Sequence, residues 1–104
     1  MKVDFKANET VTKAGDAEHF INGNDERVKG KLILTNQRLY FVCKEEATKA
    51  FNKEITPDCI SELMYFKTKM ILANGLTIIT KDGEQLRFTV KKRNSWTELI
   101  NKIY

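Results

Sequence analysis

The sequence is sparing with the residues that punctuate or crosslink a chain: one proline, two cysteines and one histidine among 104 residues. The lone proline, Pro57, leaves no Pro-rich linker at which to divide it. No low-complexity tract or internal repeat appears either, so the reading is one domain over residues 1–104. One core closes at this length, and two would be marginal. Long apolar runs are missing too. The longest stretch without a charged residue, Met70 to Thr80, is far short of the roughly 20 residues of a membrane-spanning helix. Met1-Lys2-Val3-Asp4-Phe5-Lys6 alternates charge and apolarity, and with no apolar h-region a signal peptide is not expected. The expected location is the cytoplasm. Cys43 and Cys59 lie in apolar neighbourhoods outside any C-x-x-C spacing, and both are expected as buried, reduced thiols. A zinc site would have to recruit both, together with His19 and a carboxylate, so neither metal nor cofactor is expected.

What the chain does have is charge. Charged residues make up 31% of it, mean hydropathy is -0.45, and 18 Lys and Arg stand against 14 Asp and Glu. The excess of +4 is uneven: the balance is -1 over residues 1–30, +1 over 31–60 and +4 over 61–104. Lys67, Lys69, Lys91, Lys92 and Arg93 are its visible clusters. Such an asymmetry admits phospholipid headgroups or nucleic acid as partners, and Lys-guarded sheet edges have the same signature. Strand alternation sends Lys91 and Lys92 to opposite sides. The five are therefore expected along strand ends and the helix entry, not around one concave pocket.

The dominant local signal is β. Val28, Gly30, Leu32 and Leu34 alternate with polar neighbours from Val28 to Thr35, the mark of a half-buried strand. Thr35 to Arg38 is turn-tolerant, and Arg38 to Lys44 is aromatic and β-branched, which completes a hairpin. A second hairpin spans Leu76 to Val90, with Asp82-Gly83 placed for a type I′ turn. Ala50 to Thr56 and Ser61 to Lys67 read as further strands around a turn at Pro57 to Ile60, and Lys69 to Ala73 as another. Thr10 to Asn22 is a weaker strand, expected to break near Gly15-Asp16, followed by a loop at Asn22 to Asp25. The end differs. Trp96, Leu99, Ile100 and Ile103 fall at i, i+3, i+4 and i+7 between Arg93 and Tyr104, an apolar helical stripe. Ser95-x-x-Glu98 has the capping-box form, with Ser95 or Asn94 as the cap. The sketch is about seven antiparallel strands and one core-facing C-terminal helix anchored by Trp96.

Motifs of catalysis are absent. There is no Gly-rich phosphate loop, no G-x-S-x-G elbow and no H-E-x-x-H helix. Asp82 and Glu84 flank a turn and read as solvated residues. His19 is expected on a strand surface, at most paired with Glu18. Ser61 and Ser95 have no base at a recognisable spacing, so no enzyme is expected. Tyr65, Phe66, Lys67 and Lys69 interleave rings and charge as single-strand binders do. Alternation splits Tyr65 from Phe66 and assigns one of them to the core, and no RNP-like or helix-turn-helix pattern joins them. No specific nucleic-acid partner is expected.

One stretch carries more than periodicity. Gly30-Lys31-Leu32-Ile33-Leu34-Thr35-Asn36-Gln37-Arg38-Leu39-Tyr40-Phe41 resembles the G-x-L-x-L-T-x-x-R-L-x-F hairpin of the GRAM/PH-like domains. Ile55 to Ile60, Leu76 to Gly83 with Phe88, and the tryptophan helix are similar to later elements of that family. The resemblance covers roughly residues 9 to 104, as in a small single-domain member of bacterial type. It implies a mainly β fold: a partly open barrel of about seven antiparallel strands capped by a C-terminal α-helix. Leu32, Leu34, Leu39 or Tyr40, Phe41, Ile60, Ile78, Phe88 and Trp96 would fill it. It also implies a non-catalytic binding module, contacting a protein or peptide partner or an anionic membrane surface, or alternatively a specific phosphoinositide headgroup. Phosphoinositide binders of this type carry basic residues around the loop between their first two strands. Here two acids at the tip of Asn22 to Arg27 offset Arg27, while Lys29 and Lys31 follow on the outward face. The candidate ligand residues are Arg27, Lys29, Lys31 and Arg38. For Arg38, a structural fork bonding carbonyls or a carboxylate at the turn is the competing role.

Overall fold

The computed structural model describes residues 5–21, 26–66 and 75–103. Seven strands form one antiparallel sheet: β1 (Val11–Ile21), β2 (Glu26–Thr35), β3 (Leu39–Cys43), β4 (Lys53–Ile55), β5 (Ile60–Phe66), β6 (Gly75–Thr80) and β7 (Gln85–Val90). The helix α1 spans Arg93–Asn101. The sheet order is β4-β3-β2-β1-β7-β6-β5, so β1 is central and β4 and β5 are the edges. It curls into a partly open barrel, and α1 caps one end. The Lys81 N–H donates to Cys59 O (2.8 Å), one position beyond the β5–β6 ladder, and Lys53 of the edge strand β4 pairs with Glu84 (3.4 Å) in the turn between β6 and β7.

Alternation places the core. Leu32, Leu34, Leu39, Phe41, Leu76, Ile78 and Phe88 are fully buried on the concave face, and Trp96 and Ile100 of α1 close over them. Tyr40 and Ile60 are buried too. A large ring at the end of an amphipathic helix is a dense source of buried apolar area, which explains why so short a helix docks.

Five local expectations are corrected. The first strand does not break at Gly15; its one irregularity lies between Val11 and Lys13. Ladders on both sides hold it, to β2 along its length and to β7 from Ala17 to His19, and the Trp96 ring lies beside Gly15. Residues 46–51 form a 3-10 turn, and β4 is only three residues long. Asn52 is the cause: its side chain accepts from the Cys43 N–H (2.7 Å), so a side chain takes the place of a ladder bond. The Lys81-Asp82-Gly83 turn is not type I′, because only Gly83 has positive φ (91°). Its N–H bonds Thr80 O (3.0 Å), the pattern of a three-residue loop ending in a left-handed glycine. Neither Ser95 nor Asn94 caps α1. The N-cap is Lys92, itself left-handed at φ 56°, without a side-chain capping bond. Cys59 is exposed, while Cys43 is buried with its thiol pushed up by desolvation.

His19 is also corrected. It is 5% exposed on the inner face, stacked on Phe88 with ring centroids 4.7 Å apart, and its Nδ1–H donates to Arg87 O (3.1 Å). Glu18 points the other way, because successive strand residues face opposite sides. The strand expected at Lys69 to Ala73, the loop at 22–25, and Lys67 and Lys69 lie outside the described residues.

Candidate anion-binding face

Residues directly opposite in an antiparallel sheet share a face, so the register builds the outer surface row by row. One row runs Lys29, Glu18, Thr89, Gly75, Phe66 across five strands. The Lys44 N–H donates to Lys29 O (2.9 Å), which extends the row beyond β3. A neighbouring row sets Lys31 opposite Asp16. On the other side, Arg27 is opposite Phe20, and Arg87, Thr77 and Met64 follow one another across β7, β6 and β5.

Two features result. The first is a shallow basin of about 480 Å³, with Lys29, Lys31, Lys44 and Lys91 around it and Asp16, Glu18 and Thr89 among its other lining residues. None of these four ammonium groups forms an ion pair with another described residue. The second is an aromatic shelf. Phe20 and Phe66 meet edge to face at 5.6 Å, and the Arg87 guanidinium lies 4.0 Å from the Phe66 ring centre. Arg27 lies 5.7 Å from that of Phe20 and pairs with Glu18 at 3.3 Å. Gly75 makes the shelf possible, since a Cβ there would sit 2.7 Å from the Phe66 ring and 2.3 Å from its carbonyl oxygen. Guanidinium groups stacked on rings keep their edge N–H groups available, an arrangement suited to oxyanions.

The fold thus brings three of the four candidate residues, Arg27, Lys29 and Lys31, onto one face. Arg38 is elsewhere. It is 5% exposed at the β2–β3 turn, where its Nε and Nη2 donate to the two oxygens of Glu9 (2.9 Å each) and Nη1 pairs with Glu54 (2.9 Å). It also lies over the Tyr40 ring at 4.4 Å. This fork holds the Glu9 carboxyl well below the usual carboxylate range, and the same bond raises the guanidinium further. Arg38 thus stands in the structural arrangement that the sequence reading weighed ahead of ligand contact, a fork bonding carboxylates at the turn.

The C-terminal basic residues part company. Lys91 lines the basin, Lys92 caps the helix, and Arg93 donates to Phe66 O (2.9 Å) and Gly75 O (3.0 Å) while covering Tyr65 at 4.0 Å. Tyr65 and Phe66 do fall on opposite faces, but neither enters the buried core; the Tyr65 hydroxyl instead bonds Thr97 of α1 (2.6 Å). Four residues of the outer face were not singled out in the sequence as its members: Phe20, Lys44, Arg87 and Lys91. Lys44 could have been found by counting outward from the hairpin turn to the position opposite Lys29. Phe20 joins it through the β1–β2 register, opposite Arg27, whereas Arg87 and Lys91 become neighbours of the face only through the β1–β7 pairing.

No protein-family model matches the chain, and no curated protein matches it. Solved structures do. It is similar to the C-terminal domain of an unknown protein from Leishmania infantum, with a TM-score of 0.73, 20% identity, and coverage of 91% of this chain and 84% of that one. It is similar to the N-terminal PH domain of Vps36, with a TM-score of 0.69 and 12% identity over 95% of this chain and 81% of that one. The PH domain of Slm1, solved in complex with inositol-4-phosphate, gives 0.63 and 14% identity over 90% and 94%; its complex with phosphoserine also matches. Seven antiparallel strands curled around a core and capped by a C-terminal helix are a PH-like fold, and this chain has it.

Proposed function

We propose that this chain is a single, non-catalytic PH-like binding module of GRAM type that rests its outer face on an anionic phospholipid surface. The reading places it in the cytoplasm and at the membrane periphery. The observation that carries it is the convergence of Lys29, Lys31, Lys44 and Lys91 on one basin beside the Arg27 and Arg87 shelf. Each basic residue near an anionic surface contributes on the order of 1 kcal/mol. With Arg27 paired to Glu18, the face keeps a net positive charge from Lys29, Lys31, Lys44, Lys91 and Arg87 against the remaining Asp16. The open, shallow shape favours a surface over a deeply enclosed headgroup. That the PH domain of Slm1 has been solved with inositol-4-phosphate and with phosphoserine supports phosphate-bearing ligands as the class. The non-catalytic part of the reading rests on the sequence, which offers no nucleophile–base set.

Co-sedimentation with neutral, anionic and phosphoinositide-containing vesicles tests this. Binding to anionic vesicles at low salt is expected, and it should fall steeply between low and physiological ionic strength. The Lys44→Glu and Lys91→Glu variants should bind several-fold more weakly. Absence of binding to every anionic vesicle at low salt would overturn the reading. A protein or peptide partner is the second reading, favoured by the edge strand β5, where Met64 and Tyr65 are 47% and 46% exposed.

A further inference from the structure

The segment before β1 is held to the barrel in the manner of a bound peptide. Residues 6–9 make a tight turn: the Glu9 N–H donates to Lys6 O (3.1 Å), the Lys6 N–H donates to Glu9 Oε1 (2.8 Å), and Asn8 takes φ 64°. Among the described residues, the polar contacts leaving residues 5–10 go to the β2–β3 turn at residues 35–40. Glu9 is the anchor. Its side chain is fully buried and accepts from the Thr35 hydroxyl (2.6 Å), the Arg38 fork and the Tyr40 hydroxyl (3.2 Å). The rest of the segment is read through its backbone. The Asn36 side chain donates to Asn8 O (3.0 Å) and accepts from the Thr10 N–H (2.8 Å), and Gln37 donates to Ala7 O (3.0 Å). Lys6, Ala7 and Asn8 are themselves exposed.

One desolvated carboxylate clasped by a bidentate guanidinium, with amide side chains reading the flanking main chain, is a recognition chemistry. It demands a glutamate at one position and a residue that accepts positive φ just before it, and it reads the remaining positions through their backbone. We propose that the Thr35–Tyr40 turn is a receptor for an acidic peptide turn, which residues 5–10 occupy in cis, and that a glutamate-bearing segment of a partner protein takes the site when the cis segment lifts away. Self-occupancy then acts as a built-in competitor, because apparent affinity for the partner scales with the fraction of molecules whose site is open.

The test uses the full chain and a fluorescent peptide with the sequence of residues 5–12. Wild type should bind it weakly, since its own Glu9 fills the site. The Glu9→Gln chain should bind it at least about tenfold more tightly, with a rise in melting temperature on addition. The same peptide with glutamine in place of its glutamate should lose at least about tenfold. A folded Glu9→Gln chain that ignores the peptide, or takes both peptides equally, would overturn the proposal. Should that variant not fold, amide exchange in the wild type decides. The amides of Thr10 and Asn36, which bond across the contact, are expected to open at least roughly a hundredfold more often than those of Leu32 and Phe41. Equal protection would mean the segment leaves only on global unfolding, and the proposal would fail.

Discussion

Glu9 and Arg27 each belong to an ion pair, and the two pairs differ in what water does to them. The Arg27–Glu18 pair has side chains 53% and 31% exposed, so solvent screens it and its removal should change stability little. Glu9 is fully buried under Arg38, and deleting its charge leaves a guanidinium without its main partner. The urea midpoint of Glu9→Gln is therefore expected to fall well below that of Arg27→Gln; similar midpoints would show that the buried pair carries no special weight. Acid should act on the same bond. The Glu9 carboxyl lies below its ordinary value of 4.5, so its stabilisation is present above that pH and is lost as the pH falls through the lower folded value. His19 works at milder pH. Burial lowers its pKa from the ordinary 6.5, so the unfolded chain takes up a proton that the folded core resists. Stability from this residue is complete above about pH 6.5 and declines as the pH drops below it. Urea melts at pH 7.5 and 5.5 should show that loss, and a His19→Phe variant should flatten it; an unchanged slope would assign the acid sensitivity elsewhere.

At the scale of elements, α1 is held from two sides. Trp96 is 2% exposed against the barrel interior, and truncation to alanine should cost about 3–5 kcal/mol, as for other large core aromatics. A loss under about 1 kcal/mol would mean the helix is no plug. Its entry is less comfortable, since Lys92 occupies left-handed space without a capping bond. A side chain there costs on the order of 1 kcal/mol that glycine avoids, so Lys92→Gly is expected to raise the melting temperature slightly. Arg93 then links the helix to the ends of β5 and β6 through two carbonyls. These hairpins and this helix were readable as patterns because each is closed by short-range bonds. The two-residue alternation of Val28 to Thr35 survives in β2, and Trp96, Leu99 and Ile100 form the packed face of α1, with Ile103 packed against the core just beyond its end. Two features misled the reading: the Asn52 side chain bonding the Cys43 N–H in place of backbone, and a left-handed backbone at Lys92 where a serine cap was expected.

Across the whole molecule, charge separates by location more than by sequence segment. Of the C-terminal basic residues, Lys91 lines the basin, Lys92 starts the helix and Arg93 clasps two strand ends, while the outer face draws Lys29, Lys31 and Lys44 from earlier in the chain. Local periodicity determined the β-rich class, the hairpin of β2 and β3, the C-terminal helix and most of the core, because alternation at two or 3.6 residues states which side chains leave water. It could not determine that β1 lies between β2 and β7. That pairing joins Glu18 to Thr89 across 71 residues and makes one surface of Lys29, Phe66 and Arg87. The same holds for Glu9 under Arg38 and for His19 against Phe88. Such contacts have no local signature. Their register is set by chain closure and by how the whole core packs, so residues that look solvated in the sequence become buried, and scattered lysines become neighbours, only once the sheet has curled.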